Sequence, residues 1–237
     1  MTLEERIETV QHKIIEAALA AGRDPSEITL CAATKVQTDD TIRQAISHGI
    51  RVCGENRVQE LTAHLEANAY EGTDAVHFIG HLQTNKVKFV VGKVDLIQSV
   101  DSPHLLRAIE KQAAKLDLVQ DILFEINIGR EESKGGCLPE NLPALMEALE
   151  DCTHVRLRGF MAIPPISSEI GANRPYFSAM RRLYVDTKAK MKDNQSDINC
   201  LSMGMSADFT DAIAEGATLV RVGTALFGPR PPMGRPR

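Results

Sequence analysis

No stretch of these 237 residues is apolar for long enough to span a bilayer, and the opening Met1-Thr-Leu-Glu-Glu-Arg lacks the apolar centre of a secretory leader. The expectation is a soluble, cytoplasmic protein with no membrane partner. Cysteine is sparse and unpatterned: Cys31, Cys53, Cys137, Cys152 and Cys200 are odd in number and form no CxxC pair. That argues against a disulfide framework and a zinc knuckle. Basic residues are outnumbered, leaving a net charge of -5, and they are interleaved with Asp and Glu, so no footprint for nucleic acid exists outside the last few residues. No Gly-rich dinucleotide fingerprint follows the first apolar run, which weighs against an open nucleotide-binding sheet. The one metal-like spacing, His77-Phe-Ile-Gly-His81, falls on a strand pattern broken by Gly80, with no Glu after the first His. No metal is expected.

What is present is alternation. Leu3, Ile7, Val10, Ile14 and Ala18 recur at a helical period over residues 2–21, and Gly22 stops the run. Apolar, strand-like runs follow at 28–34, 52–54, 75–80, 96–100, 121–128, 155–163, 199–203 and 218–222. Helical patterns separate them at 39–48, 56–68, 83–90, 103–116, 139–150, 175–192 and 207–215. Strands divided by helices pair in parallel, and eight repeats in this length predict an α/β fold, a TIM-like (β/α)8 barrel with an extra N-terminal helix. Residues 1–230 read as one domain and the Pro/Arg-rich tail at 231–237 as flexible. In such a barrel the chemistry gathers at the C-terminal ends of the strands.

Lys35 lies at such an end, after Ile28-Thr-Leu-Cys-Ala-Ala-Thr34, and alternation puts it on the face of the small residues Cys31 and Ala33. It is either a solvated loop charge or a partly desolvated amine suited to Schiff-base chemistry. At the other end of the chain, Leu201-Ser-Met-Gly-Met-Ser206 leaves the seventh strand, with Ser206 a natural N-cap and Asp208 in the first helical turn. Gly223 and Thr224 leave the eighth. The loops after strands seven and eight are the recurrent phosphate site of this barrel. Arg221 shares the inward face of Leu219, while Val220 and Val222 face the helices. There it either pairs with a buried carboxylate, Glu125 or Glu55, or donates to an aromatic nitrogen of a bound aldehyde such as pyridoxal phosphate.

Several motifs in this order carry a family resemblance: Ala32-Ala-Thr-Lys35, Cys53-Gly-Glu-Asn-Arg-Val-Gln-Glu60 and His77-Phe-Ile-Gly-His-Leu-Gln-Thr-Asn-Lys86, then Asn127-Ile-Gly-Arg-Glu-Glu-Ser-Lys134, Leu201-Ser-Met-Gly-Met-Ser206 and Val220-Arg-Val-Gly-Thr-Ala-Leu-Phe-Gly228. From about residue 5 to 230 the chain resembles the pyridoxal phosphate homeostasis proteins, also called proline synthetase co-transcribed proteins. The Ser167 to Asn173 insert and the Arg-rich tail depart from the pattern. The resemblance implies a barrel similar to the N-terminal domain of alanine racemase that binds pyridoxal 5'-phosphate without an established reaction. It also implies an aldimine on Lys35, a phosphate held by Ser202, Gly223 and Thr224, Arg221 at the pyridine nitrogen, and Asn56 in the cofactor pocket.

Racemisation needs acid-base groups on both faces of the substrate carbon. In alanine racemase the group opposite the lysine is a tyrosine from a second domain of the partner subunit. This chain stops shortly after its last strand, and Tyr70, Tyr176 and Tyr184 fall on or near outer helices. The expectation is therefore a monomeric carrier and regulator of pyridoxal phosphate, with apo-enzymes as recipients. A low-activity amino acid racemase and a Schiff-base aldolase acting on a sugar phosphate are the alternatives. Lys134, on the same rim, is either a loop charge or a transient second acceptor.

Overall fold

Strands that are apolar on both faces need cover on both sides, and here they obtain it by closing. In the computed structural model, which describes residues 1–167, 169, 171–190 and 198–229, the eight strands form a closed parallel barrel in sequence order. They are β1 (Thr29–Ala33), β2 (Val52–Glu55), β3 (Ala75–Phe78), β4 (Leu96–Val100), β5 (Gln120–Ile126), β6 (Val155–Ala162), β7 (Cys200–Ser202) and β8 (Leu219–Val222), and β8 pairs back onto β1. The helices are α1 (Leu3–Ala20), α2 (Asp39–Ser47), α3 (Val58–Glu66), α4 (Pro103–Lys115), α5 (Leu142–Glu150), α6 (Arg174–Lys190), α7 (Phe209–Ala214) and α8 (Thr224–Phe227). The extra N-terminal helix is α1, started by a capping box between Thr2 and Glu5, a device that contributes about 1 kcal/mol.

Outward residues such as Ala32, Cys53, Phe78, Phe124, Phe160 and Val220 build the core between strands and helices. Each fully buried phenylalanine there contributes roughly 1.5–3 kcal/mol. Inside the barrel, Cys31, Val52 and Leu219 form one small apolar cluster and Leu96, Leu123 and Met161 another. Two residues further along several strands the inward positions turn polar: Ala75 gives way to His77, Leu96 to Gln98, Leu123 to Glu125, Cys200 to Ser202 and Leu219 to Arg221. An apolar floor thus carries a polar layer below the mouth. Where β5 and β6 slip register, Gly159 has φ +148°, and a Cβ there would run into the backbone of Cys200.

Three local expectations need correction. The helix expected over 83–90 is a 3-10 helix, Thr84–Phe89, its bonds closing over three residues, as from Lys86 N–H to Gln83 O. The segment from Pro139 opens as a 3-10 turn, Pro139–Asn141, before α5. Asp208, not Ser206, occupies the N-cap position of α7, and its carboxylate accepts from Met205 N–H at 2.7 Å. The helix α8 after β8 was not anticipated, being only four residues long. Residues 191–192 of the expected sixth helix, residues 168 and 170 of the insert, and the tail at 231–237 lie outside the described residues.

Candidate functional site

Lys35 is half-buried and follows β1 by two residues. The ladder runs one residue past the strand, Thr34 N–H bonding Gly54 O at 3.0 Å, and a turn then closes from Gln37 N–H to Thr34 O at 3.0 Å. Lys35 and Val36 are the centre of that turn. On one side, Ala33 faces the end of β8: a Cβ on Gly223 would touch the Ala33 methyl at 3.4 Å. On the other side, Asn56 follows β2. The structure therefore gathers Lys35, Asn56, Arg221, Gly223 and Thr224 at the same end of neighbouring strands β1, β2 and β8.

Arg221 points inward, as alternation predicts, with Cys31 as its register partner on β1. It is 4% exposed, and burial lowers its pKa. Its hydrogen bonds go from Nη1 to Ser202 Oγ at 2.5 Å and from Nη2 to Ala162 O at 3.0 Å. Among the described residues it forms no ion pair. Glu55 is excluded as its partner, because that side chain faces outward to Thr34 and Tyr70. Glu125 faces inward, and burial first, then the charge of Asp101, pushes its carboxyl up to about 7 against the opposing pull of Arg221.

Ser202 is fully buried and donates to Gln98 Oε1 at 2.6 Å while accepting from Arg221. A hydroxyl has one proton, so no donor remains at Ser202 for a phosphate. The hydroxyl at the mouth belongs to Ser206, whose Oγ accepts from the amides of Gly223 and Ala225, both at 3.2 Å. Amides converging on one oxygen make a place for an anion. The sequence offers Ser206 as a cap and the resemblance offers Ser202 for the phosphate, but it is Ser206 that these amides meet.

Asn56 Oδ1 is covered yet has no hydrogen-bond partner. Gly80 backs that residue, since a Cβ there would overlap the Asn56 carbonyl. Gln98 continues the buried chain to His77, its amide nitrogen 2.9 Å from Nδ1. Burial pushes His77 down to about 4, so the ring is neutral. His81 is exposed, and no cluster of metal-binding side chains occurs among the described residues. Gln98 and His77 were missed as interior residues, although their parity with Leu96 and Ala75 signals it. Lys134 bonds Pro164 O at 2.9 Å and pairs with Glu131, which ties the loop after β5 to the loop after β6. A separate hollow of about 790 Å³ between α5 and α6, lined by residues such as Leu142, Met146 and Leu183, contains none of these site residues.

The family model described as alanine racemase, N-terminal domain, matches residues 25–231. The pyridoxal phosphate homeostasis protein of Aquifex aeolicus is 44% identical over 227 residues, covering 95% of this chain and 97% of that one. The chain belongs to the pyridoxal phosphate homeostasis protein family. A solved structure of another protein similar to this chain, PipY of Synechococcus elongatus with pyridoxal phosphate bound, superposes with a TM-score of 0.82 at 30% identity, covering 96% of this chain and all (100%) of that one. The barrel of this homeostasis-family chain is also the fold of alanine racemase from Clostridium difficile, with a TM-score of 0.72 at 15% identity over 97% of this chain and 58% of that one. No helix among the described residues is long and apolar enough to cross a membrane.

Proposed function

We propose that this chain holds pyridoxal 5'-phosphate reversibly on Lys35 and takes part in its intracellular homeostasis as a carrier, with residues 1–230 acting as one cofactor-binding domain. The observation that carries this reading is Arg221: a buried, donor-only side chain just below the barrel mouth whose described partners are a hydroxyl and a carbonyl rather than a carboxylate. Such a group suits a neutral ring nitrogen. The unpartnered Asn56 Oδ1 supports a ligand beside it, since a covered acceptor without a donor costs about 1–3 kcal/mol until one arrives. The hydroxyl of Ser206, which accepts from the amides of Gly223 and Ala225 and gives its own proton to no described residue, and the backbone of Thr224 form the donor set for the phosphate, with Gly223 beside them.

When bound, pyridoxal phosphate supplies an aldehyde that condenses with a lysine amine with loss of one water. Arg221 keeps its proton, so it leaves a ring nitrogen unprotonated and withholds the electron sink that carbanion chemistry uses. Racemisation would also require an acid opposite Lys35. The hydroxyl of Tyr70 donates to Glu55 and that of Tyr184 to Ile198 O, both outside the barrel interior, while Tyr176 lies half-buried on α6. These commitments favour holding over turnover.

Borohydride reduction after adding pyridoxal phosphate, followed by peptide mass mapping, tests the reading. The expected result is a single reduced adduct on the Lys35 peptide, absent from Lys35→Ala. A protein that develops no absorbance with the cofactor, or is labelled elsewhere, overturns it. Lys35-dependent racemisation of L-amino acids, followed by loss of optical activity, would overturn the carrier role.

A further inference from the structure

We infer that Glu55 is a positioning residue for Lys35: from behind the barrel wall it grips Thr34 while Glu60 grips the amide of Val36, so a carboxylate holds the residue on each side of the lysine. This rests on the reading of Lys35 as the aldehyde-binding amine. Glu55 closes β2 by parity with its side chain outward, in the layer between strands and helices, and it is 0% exposed. Its Oε1 accepts from the Thr34 hydroxyl at 2.5 Å and from the Tyr70 hydroxyl at 3.0 Å, while Oε2 is buried without a partner. A carboxylate in that place is costly, and packing alone would be served as well by an apolar side chain of similar size.

The turn it holds is strained. Val36 has φ +59°, a left-handed conformation that a β-branched residue rarely adopts, and its side chain is 48% exposed, so burial does not compensate. The compensation is at the backbone, where Val36 N–H meets Glu60 Oε2 at 2.9 Å, and at Thr34, whose hydroxyl is drawn back to Glu55. The clamp is braced from two helices. His64 on α3 stands 3.8 Å from Glu55 Oε1 by Nε2 and 2.6 Å from Asp39 Oδ1 on α2 by Nδ1. Arg57 steadies Glu60 at 3.4 Å. Burial raises the pKa of Glu55, opposed by the Thr34 and Tyr70 hydroxyls and by His64, and reinforced by Glu60.

Thr34→Val removes the hydroxyl and keeps the branch at Cβ, and Thr34→Ser returns the hydroxyl. The measurement is trace acetylation of the unliganded full chain with acetic anhydride, quantified peptide by peptide, using the exposed Lys13 and Lys111 as internal references. In Thr34→Val the relative labelling rate of Lys35 shifts at least threefold, adduct absorbance with pyridoxal phosphate develops at least threefold more slowly, and Thr34→Ser restores both. Glu55→Gln, which keeps the shape and weakens the acceptor that grips Thr34, shifts the same quantities in the same direction and serves where Thr34→Val does not fold. Unchanged Lys35 labelling in a folded Thr34→Val or Glu55→Gln protein overturns the inference. A labelling shift in a protein that forms no cofactor absorbance in any version, the parent included, leaves the clamp standing and removes the cofactor reading instead.

Discussion

Arg221 on β8 donates to the hydroxyl of Ser202 on β7 at 2.5 Å, and that bond sets the direction of the hydrogen bonds beyond it. A guanidinium can only donate. Ser202 therefore spends its own proton on Gln98 Oε1 at 2.6 Å, and the Gln98 amide turns its nitrogen to His77 Nδ1 at 2.9 Å. Nδ1 is then an acceptor, and the ring proton sits on Nε2. Four strands contribute to a polar chain across the barrel whose fixed charge is the arginine.

The two serines of Leu201-Ser-Met-Gly-Met-Ser206 separate in their effects. Ser202→Ala leaves a donor of Arg221 and an acceptor of Gln98 unpaired in a buried layer and destabilises by about 1–3 kcal/mol in urea unfolding. Ser206→Ala, at a half-buried position, costs under about 1 kcal/mol of stability but weakens pyridoxal phosphate about tenfold relative to unphosphorylated pyridoxal, read by absorbance titration.

His77 titrates near 4 in the folded chain against 6.5 as its ordinary value. Between those values the unfolded chain binds a proton that the folded chain refuses. The stability tied to His77 is complete above pH 6.5 and is lost as pH falls toward 4, by up to about 3 kcal/mol. Nitrogen-15 NMR of the ring is expected to show Nδ1 as an unprotonated acceptor at neutral pH.

Glu125 carries the opposite sign. Its folded value of about 7 exceeds the ordinary 4.5, so the folded chain keeps a proton that the unfolded chain releases. Stability falls as pH rises from 4.5 to 7 and levels above it. Glu125→Gln removes this slope and is more stable than the parent at pH about 8, by about 1–3 kcal/mol. Because His77 and Glu125 oppose each other over the same range, paired urea melts of variant and parent, not the parent curve alone, resolve them.

Gly80→Ala tests the wall behind Asn56. The added Cβ meets the Asn56 backbone, which cannot rotate away as a side chain tip can. The expected outcome is about 1–3 kcal/mol of destabilisation and about a tenfold loss of cofactor affinity, measured by unfolding and absorbance titration.

Much of the architecture was legible because it repeats. The apolar runs ended close to the observed strands, and Arg221 fell on an inward face by parity alone. Parity was also the signal that went unused at Glu55: with Val52 and Gly54 inward, Glu55 has to face the helices. His77 and Gln98 share the inward parity of Ala75 and Leu96, but parity gives only the face, and that these polar side chains are buried inside the barrel follows from its closure. The sequence offered Ser206 as a cap and the resemblance offered Ser202 to the phosphate, and only the approach of Gly223 and Ala225 decides which hydroxyl meets the amides.

By itself the sequence determined the alternation, hence the closed barrel, and the end of it at which Lys35, Asn56, Arg221, Gly223 and Thr224 gather. Period and parity are local properties, set over a few residues. The partners of those side chains were decided only by the tertiary structure. Ser202 and Gln98 stand 104 residues apart, and nothing in either neighbourhood encodes that their hydrogen bond forms once β8 closes on β1. Closure turns strand ends that are remote along the chain into facing atoms, and each donor there is assigned by the geometry of the whole ring.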